Sequence, residues 1–497
     1  MDMMIRMFQS SASTFFNPMM ILIVAAGTFL GLVFGALPGL SATMGVALLI
    51  PLTFTMSPTA ALGMMLGTYI GGMAGGAVSA VLLNIPGTPS AVVTCLDGYP
   101  MAKQGKGAKA LGWAAFASGF GSIISWLMLV TLSPFLAGLC TSFGPPEYAA
   151  LAFFGLTIIA AVSGKSLIKG LIAGMMGVVL SFVGTDPIWG DLRFTYGNIN
   201  LMTGISTIPA LIGLYSIPQI IVSCTGEGNP HVDARELKLK DFVPSFKDIW
   251  RQKWNIIRSS IIGTGIGIIP ATGGNIASFI AYDQTKRFSK HSEEFGNGNY
   301  EGVIASEAAN NGVCGGALIP MMTLGIPGDS VTAALMGGLI IHGLRPGPAL
   351  FVESTDLVAE IFATILMATI LMVLIQCVGI RLFVQILNVP VHYLNAALVI
   401  LSLVGSYSLR SNFFDVMLTL VIGMCGYLML KGGFPTAPVV LGLVLGSMFE
   451  GEFRRSLKLG HGNIGIFLTR PIACIFILVG LAVVVNAGWK AYKNRKS

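Results

Sequence analysis

The chain has 497 residues, of which 54% are hydrophobic and only 10% charged. A soluble domain carries about 25% charged residues, so this composition excludes a soluble globular enzyme and points to a polytopic membrane protein. The formal net charge of +7 implies no nucleic-acid partner, because basic loops on the cytoplasmic face of a bilayer account for it. The 63 glycines suit helices packed backbone to backbone in lipid, where small residues replace the hydrophobic effect as the packing device. The seven cysteines (Cys95, Cys140, Cys224, Cys314, Cys377, Cys425 and Cys474) form no CxxC pair, and the five histidines no metal-ligand pattern. The cysteines read as small buried packing residues, and neither set implies a cofactor or structural metal.

In chain order, the first apolar run covers 18–37. It is longer than the roughly 7–15 residues of a signal-peptide core, so a retained span is expected. Gly27, Gly31 and Gly35 recur along it at every fourth position, and Pro38-Gly39 breaks it. A short apolar piece, 42–56, precedes a long one, 59–83, with Gly63, Gly67, Gly71 and Gly75 again four apart. Asn84 to Cys95 is too short to cross the bilayer and reads as a re-entrant hairpin arm. Lys103, Lys106 and Lys109 follow it. Spans are expected near 111–139, 147–163, 166–184 and 203–224, with 185–200 (Asp186, Asp191, Arg193) as an extramembrane loop.

Residues 226–258 are the one long charged stretch, expected to be a linker with an interfacial helix that places Trp250 and Trp254 at the headgroups. The chain then divides into a first half, 1–225, and a second half, 259–497. The second half is expected to hold a helix from about 259, a loop 289–300, a helix 301–323, a hairpin arm 330–343, and spans near 356–380, 390–407, 411–430, 435–449 and 464–488. Lys490, Lys493, Arg495 and Lys496 place the C-terminus in the cytoplasm.

The halves share a motif pair. Gly35-Ala-Leu-Pro-Gly-Leu-Ser-Ala-Thr43 with Asn84-Ile-Pro-Gly-Thr-Pro-Ser90 matches Gly267-Ile-Ile-Pro-Ala-Thr-Gly-Gly-Asn275 with Leu324-Gly-Ile-Pro-Gly-Asp-Ser330. Between them lie Gly72-Met-Ala-Gly-Gly-Ala77 and Gly312-Val-Cys-Gly-Gly-Ala317. The expected fold is an all-α polytopic membrane protein of two related repeats with broken helices, re-entrant hairpins and about 10–12 spans. Lysines follow the hairpin in copy one, whereas Lys286, Arg287 and Lys290 follow the first broken helix in copy two. That swap favours inverted repeats.

Irregular backbone at membrane depth is tolerated only where protein or a watery cavity surrounds it. Paired breaks in both halves therefore point to a site at the repeat interface. A half-helix beginning inside the membrane presents free N–H groups that suit an anion. The candidate substrate residues are Pro38, Gly39, Ser41, Thr43, Pro86, Gly87, Thr88, Ser90, Thr272, Gly273, Asn275, Pro327, Gly328 and Ser330. Thr88-Pro89-Ser90 reads as N-cap, N1 and N2. No Lys or Arg lies within the four motifs. The ionisable residues within membrane segments are Asp97, Glu307, Asp329 and His342, with Asp97 and His342 expected to reach water at the hairpin ends. Asn84, Asn310, Asn311 and Asp329 offer oxygen ligands for a coupling ion. Na⁺ is favoured over H⁺, since no chain of carboxylates and histidines forms a proton relay.

Gly31-Leu-Val-Phe-Gly-Ala-Leu-Pro-Gly-Leu40, Tyr69-Ile-Gly-Gly72, Asn84-Ile-Pro-Gly-Thr-Pro-Ser90 and Asp97-Gly-Tyr-Pro100 resemble the large membrane subunit of tripartite tricarboxylate transporters, the TctA family. Gly325-Ile-Pro-Gly-Asp-Ser330 and His342-Gly-Leu-Arg-Pro-Gly-Pro348 resemble its second half. The resemblance runs from about 18 to 485. It implies a secondary transporter of the bacterial inner membrane, driven by a cation gradient and importing carboxylates such as citrate. It also implies a small TctB-like membrane subunit and a TctC-like periplasmic binding protein. The alternatives are an anion channel or a binding-protein-independent permease for organic anions. A membrane enzyme is disfavoured, because no HExxH, GxSxG or clustered catalytic His/Asp set is present.

Overall fold

The computed structural model describes residues 10–140, 142–162, 166–186, 188–225, 242–270, 272–387, 389, 391–408 and 410–494. The expected linker residues Glu227, Asp233, Glu236, Lys238, Lys240 and Asp241, and Arg495 and Lys496 at the C-terminus, lie outside them.

Helix α1 (Pro18–Ala36) starts where the Asn17 side chain accepts the N–H groups of Met19 and Met20. It stops at Leu37, held extended because the following proline excludes the helical region for its predecessor. Gly39 turns the chain with φ +88°, and Ser41 caps α2 (Ala42–Thr53) through the Met44 N–H. Helix α3 (Pro58–Leu83) ends in a left-handed Asn84, φ 57°. A 3₁₀ turn, Pro89–Ala91, then leads into α4 (Val92–Lys103). Next come α5 (Gly107–Cys140), α6 (Pro145–Val162), α7 (Leu167–Ser181), the short strands β1 (Gly184–Thr185) and β2 (Leu192–Arg193), and α8 (Thr207–Thr225).

The second half repeats the opening sequence of elements. Helix α9 (Phe246–Ile268) ends extended before Pro270, and α10 (Gly273–Phe288) follows. Helix α11 (Tyr300–Leu324) ends in a left-handed Gly325, and α12 (Ser330–Ile341) follows Pro327. The remaining helices are α13 (Pro348–Glu353), α14 (Thr355–Leu387), α15 (Val391–Ser408), α16 (Phe413–Lys431), α17 (Ala437–Leu459), α18 (Ile466–Thr469) and α19 (Pro471–Asn494). Among the described residues six helices (α1, α3, α5, α8, α14, α16) are long and apolar enough to cross a membrane, and five shorter apolar helices accompany them.

Several boundaries differ from the sequence expectation: α4 runs on to Lys103 and α14 to Leu387, and three differ further. Helix α9 begins at Phe246 behind a Ser245 cap, not near 259, so Trp250 and Trp254 sit on its own first turns rather than on a separate interfacial helix. No Gly or Pro interrupts 246–262, and the charged face there did not end the helix. Helix α17 runs on to Leu459 through a polar last part. The final span is divided at Arg470-Pro471 into α18 and α19.

The chain forms two compact units that each draw on both halves: Met1–Ala137 with Gln219–Leu401, and Gly138–Pro218 with Ser402–Ser497. In the second unit α7 and α17 meet backbone to backbone, since a Cβ on Gly177 would lie 2.0 Å from the Val439 carbonyl oxygen. There the expected extramembrane loop closes on β1 and β2, paired antiparallel. Asp186 accepts the N–H groups of Ile188 and Trp189 and pairs with Arg454, while Arg193 grips Glu450 through two bonds. The Trp189 N–H and the Arg454 guanidinium hold the Asp186 carboxyl well below its ordinary range.

The first unit contains both copies of the broken-helix motif. A Cβ on Gly27, Gly31 or Gly35 would lie 2.2–2.4 Å from the carbonyl oxygens of Met64, Thr68 and Gly72 on α3. The second copy packs α9 on α11 in the same way: a Cβ on Gly263 would lie 2.2 Å from the Ala309 carbonyl oxygen and one on Gly316 2.3 Å from that of Thr264. These contacts leave no room for a side chain, so the ladders read from the sequence are interhelical seams. Gly35→Ala is expected to destabilise the purified protein by about 1–3 kcal/mol through overpacking. Gly265→Ala, at a helical position with nothing within 4 Å, is expected to be neutral or slightly stabilising. Thermal unfolding in detergent compares the two directly.

Candidate functional site

The breaks meet in two crossings. At the first, α12 of the second copy packs on α2 of the first copy, and the Thr43 and Ser330 hydroxyl oxygens lie 2.9 Å apart. At the second, the Pro89–Ala91 turn and α4 of the first copy pack on α10 of the second. There a Cβ on Gly274 would lie 2.9 Å from Ser90 Cβ and 2.7 Å from Asn310 Oδ1. Each hairpin is also seated on the small-residue helix of its own copy. A Cβ on Gly87 would come 2.0 Å from the Gly35 carbonyl oxygen and 3.0 Å from Gly76 Cα, and one on Gly328 would come 2.4 Å from Ala317 Cα. This explains glycine after proline in both hairpins: the backbone lies directly on the helix beneath it.

The candidate substrate residues divide by what their polar atoms do. Thr43, Thr88 and Ser90 are buried and Ser330 half-buried, all at the crossings. Thr88 takes the expected cap position with Pro89 at N1, but its hydroxyl bonds Ser90 Oγ at 3.1 Å and caps no N–H group. Pro38, Gly39 and Pro86 are half-buried, and Gly87, Pro327 and Gly328 are buried within the turns. Ser41 is committed to capping α2. Thr272 does not face α10, since its hydroxyl donates to the Ile266 and Ile269 carbonyls that end α9. Gly273 adopts φ +67°, and Asn275 is exposed.

The four expected ion ligands do not form one cluster. Asn84 is an exposed helix terminus; it stands fifteen residues from Tyr69 along α3, about 22 Å at helical rise. Tyr69 donates to Asp329 Oδ2 at 2.7 Å. Asp329 forms a full capping box with Thr332, whose N–H reaches Oδ1 at 2.7 Å while the Thr332 hydroxyl accepts the Asp329 N–H at 2.8 Å. Both carboxylate oxygens are therefore engaged. Asn310 and Asn311 are fully buried on α11, donating to the Met73 carbonyl at 3.0 Å and to Ser122 Oγ at 3.2 Å, while neither Oδ1 has a hydrogen-bond partner.

The other ionisable residues are placed as follows. Asp97 does not reach water. It is fully buried and accepts the Tyr282 hydroxyl at 2.8 Å and the N–H groups of Gly296, Gly298 and Asn299. It ties α4 to the loop preceding α11, a partnership about 200 residues apart that composition cannot disclose. His342 is half-buried with an unpartnered Nε2. Glu307 is fully buried and accepts the hydroxyls of Thr94 at 2.5 Å and Ser118 at 3.1 Å. The sequence reading singled out neither hydroxyl, nor Ser122, and it quoted Tyr69 only within a resemblance motif without a role. The one available signal was the serine spacing Ser118–Ser122 on α5.

These features define a multi-pass helical membrane protein whose half-helices from two chain halves meet at buried, hydroxyl-bearing junctions. The chain belongs to the tripartite tricarboxylate transporter TctA family, whose profile matches residues 21–441. That is a transporter family, not a family of enzymes. The chain is 37% identical over 483 residues to an uncharacterized 52.8 kDa protein in the TAR-I ttuC' 3'region of Agrobacterium vitis, covering 97% of this chain and 96% of that one. A second Agrobacterium vitis protein, described as an uncharacterized protein in the TAR-II ttuC' 3'region, is 37% identical over 234 residues, 47% of this chain and 97% of its own length. No solved structure matches the chain.

Asp329→Ala is expected to destabilise the protein by about 1 kcal/mol through loss of the cap, with Asp329→Asn retaining most of that stability. Tyr69→Phe should add little to Asp329→Ala, because the two share one hydrogen bond. Thermal unfolding of the single and double variants measures the coupling.

Proposed function

We propose that the protein is the substrate-translocating subunit of a secondary active importer of di- or tricarboxylates in the bacterial inner membrane. The crossings of half-helices from the two copies carry this reading: Thr43 with Ser330, and Ser90 with Gly274. Half-helices starting inside the membrane direct N–H groups and partial positive charge toward an anion. With no Lys or Arg in the four motifs, hydroxyls and backbone N–H groups hold the carboxylates. The seating is reciprocal, α12 on α2 and the first hairpin on α10, as a two-fold relation between the copies requires. Together with the swapped basic loops it supports inverted repeats rocking about a fixed site, with the C-terminus in the cytoplasm. Family membership supports a TctB-like membrane subunit and a TctC-like periplasmic binding protein as partners.

The driving force follows from charge. A negative-inside membrane opposes an entering anion by about 2.3 kcal/mol per charge per 100 mV. Net import therefore requires monovalent cations, Na⁺ in the present reading and H⁺ in the alternative, at least equal in number to the substrate charges. The test is uptake of labelled carboxylates into proteoliposomes containing both membrane subunits, with binding protein outside. Accumulation against a gradient that an ionophore collapses supports the reading, and purely downhill flux makes the protein an anion channel. Ser330→Ala and Thr88→Val are each expected to lower uptake efficiency roughly tenfold, about 1.4 kcal/mol, and Ser10→Ala to leave it unchanged. Wild-type kinetics in both variants at normal expression would return these hydroxyls to a structural role.

A further inference from the structure

Helix α11 carries a buried polar ladder of which Asn310 alone faces a crossing. Glu307, Asn310 and Asn311 share one face, three and four residues apart, and all three are fully buried. Helix α5 runs beside them closely enough that a Cβ on Gly121 would lie 2.3 Å from the Ala308 carbonyl oxygen. It supplies matching rungs one turn apart, Ser118 to Glu307 at 3.1 Å and Ser122 to Asn311 at 3.2 Å. Thr94 of α4 closes the Glu307 rung.

The ladder has an excess of acceptors. A carboxylate buried in a membrane segment is costly unless its charge is matched, and among the described residues no Lys, Arg or His forms an ion pair with Glu307. Beside it, Asn310 Oδ1 and Asn311 Oδ1 are buried acceptors without donors, which is rare in a folded interior. One negative charge among neutral oxygens calls for a small monovalent cation, since divalent ions recruit several carboxylates.

We infer that Glu307 and Asn311, steadied by Ser118 and Ser122 of α5, form a sodium site, with Asn310 linking it to the crossing above. Asn310 Oδ1 faces Gly274 at the start of α10, beside Ser90, so cation occupancy at Glu307 and the second crossing share one helix turn. The site differs from the sequence expectation in its carboxylate: Glu307, free of a cap, replaces Asp329, which is held by Thr332 and Tyr69. Naming the coupling site in this way rests on the uptake reading, but its binding test does not.

The test is thermal unfolding of the purified full-length protein without any carboxylate, at constant ionic strength, with choline exchanged for Na⁺. A ligand that binds only the folded state raises its stability with concentration. Wild type and Gly265→Ala are expected to show a saturable, Na⁺-specific rise in melting temperature. The isosteric Glu307→Gln should abolish that rise, and Asn311→Ser should shift its midpoint at least tenfold to higher Na⁺. If Glu307→Gln fails to fold, Asn311→Ser and Ser122→Ala carry the test. A wild-type response to acid but not to Na⁺ overturns the proposal, as does an unchanged Na⁺ response in these variants or its loss in Asp329→Asn alone. A Na⁺ response with no carboxylate uptake by any assay leaves this site standing and removes the uptake reading. Sodium-driven uptake with wild-type Na⁺ dependence in Glu307→Gln does the reverse.

Discussion

Everything in the first unit depends on satisfying backbone that prolines have freed. Pro38, Pro86 and Pro327 adjoin helices apolar enough to lie in lipid, where an unpaired N–H or carbonyl has no water to turn to, and Pro270 makes the matching break in the second copy. Protein must therefore surround each break. The chain does this by pressing the hairpins onto glycine- and alanine-rich helices, Gly87 over Gly76 and Gly328 over Ala317, and by crossing the half-helices of one copy with those of the other. Gly87 and Gly328 make the first arrangement possible, because a side chain at either position would collide with the helix beneath.

The two copies share this geometry but differ in chemistry. Where copy one has Thr43, copy two has Asn275, and where copy two has Asp329-Ser330, copy one has Thr88-Pro89. One crossing is thus a hydroxyl pair beside a tyrosine-bound carboxylate, while the other is a tight backbone approach under an unpartnered asparagine oxygen. On α11 the positions matching Gly67, Ile70 and Gly71 are Glu307, Asn310 and Asn311. The repeated motifs supply matching breaks, and divergence on α11 gives one copy polar groups the other lacks. In the proposed importer this difference separates the ligands of the anion from those of the cation.

The sequence disclosed the elements more readily than their partners. Pro-Gly breaks, four-residue glycine spacing and the left-handed termini at Asn84 and Gly325 are local signals, written in residues that act on their own backbone. The start of α9 was misplaced because its exposed face is charged while its buried face is not, so a window dominated by Lys and Asp hides a continuous helix. Asp97 and Glu307 were visible as costly residues, but the roles they hold depend on donors 185–213 residues away. Asp329 is the converse case. Its capping role was legible from position alone, whereas the second half of its environment, Tyr69, comes from the other copy.

The central claim is that the four breaks enclose one carboxylate site reached from water. It is tested most directly by introducing single cysteines, Ser330→Cys and Thr88→Cys, into a variant with the seven native cysteines replaced, and measuring modification by a membrane-impermeant thiol reagent. The account predicts that both positions react and that a transported carboxylate slows both reactions with the same concentration dependence. Protection at one position only, or reaction rates indifferent to every carboxylate that the system takes up, would contradict it.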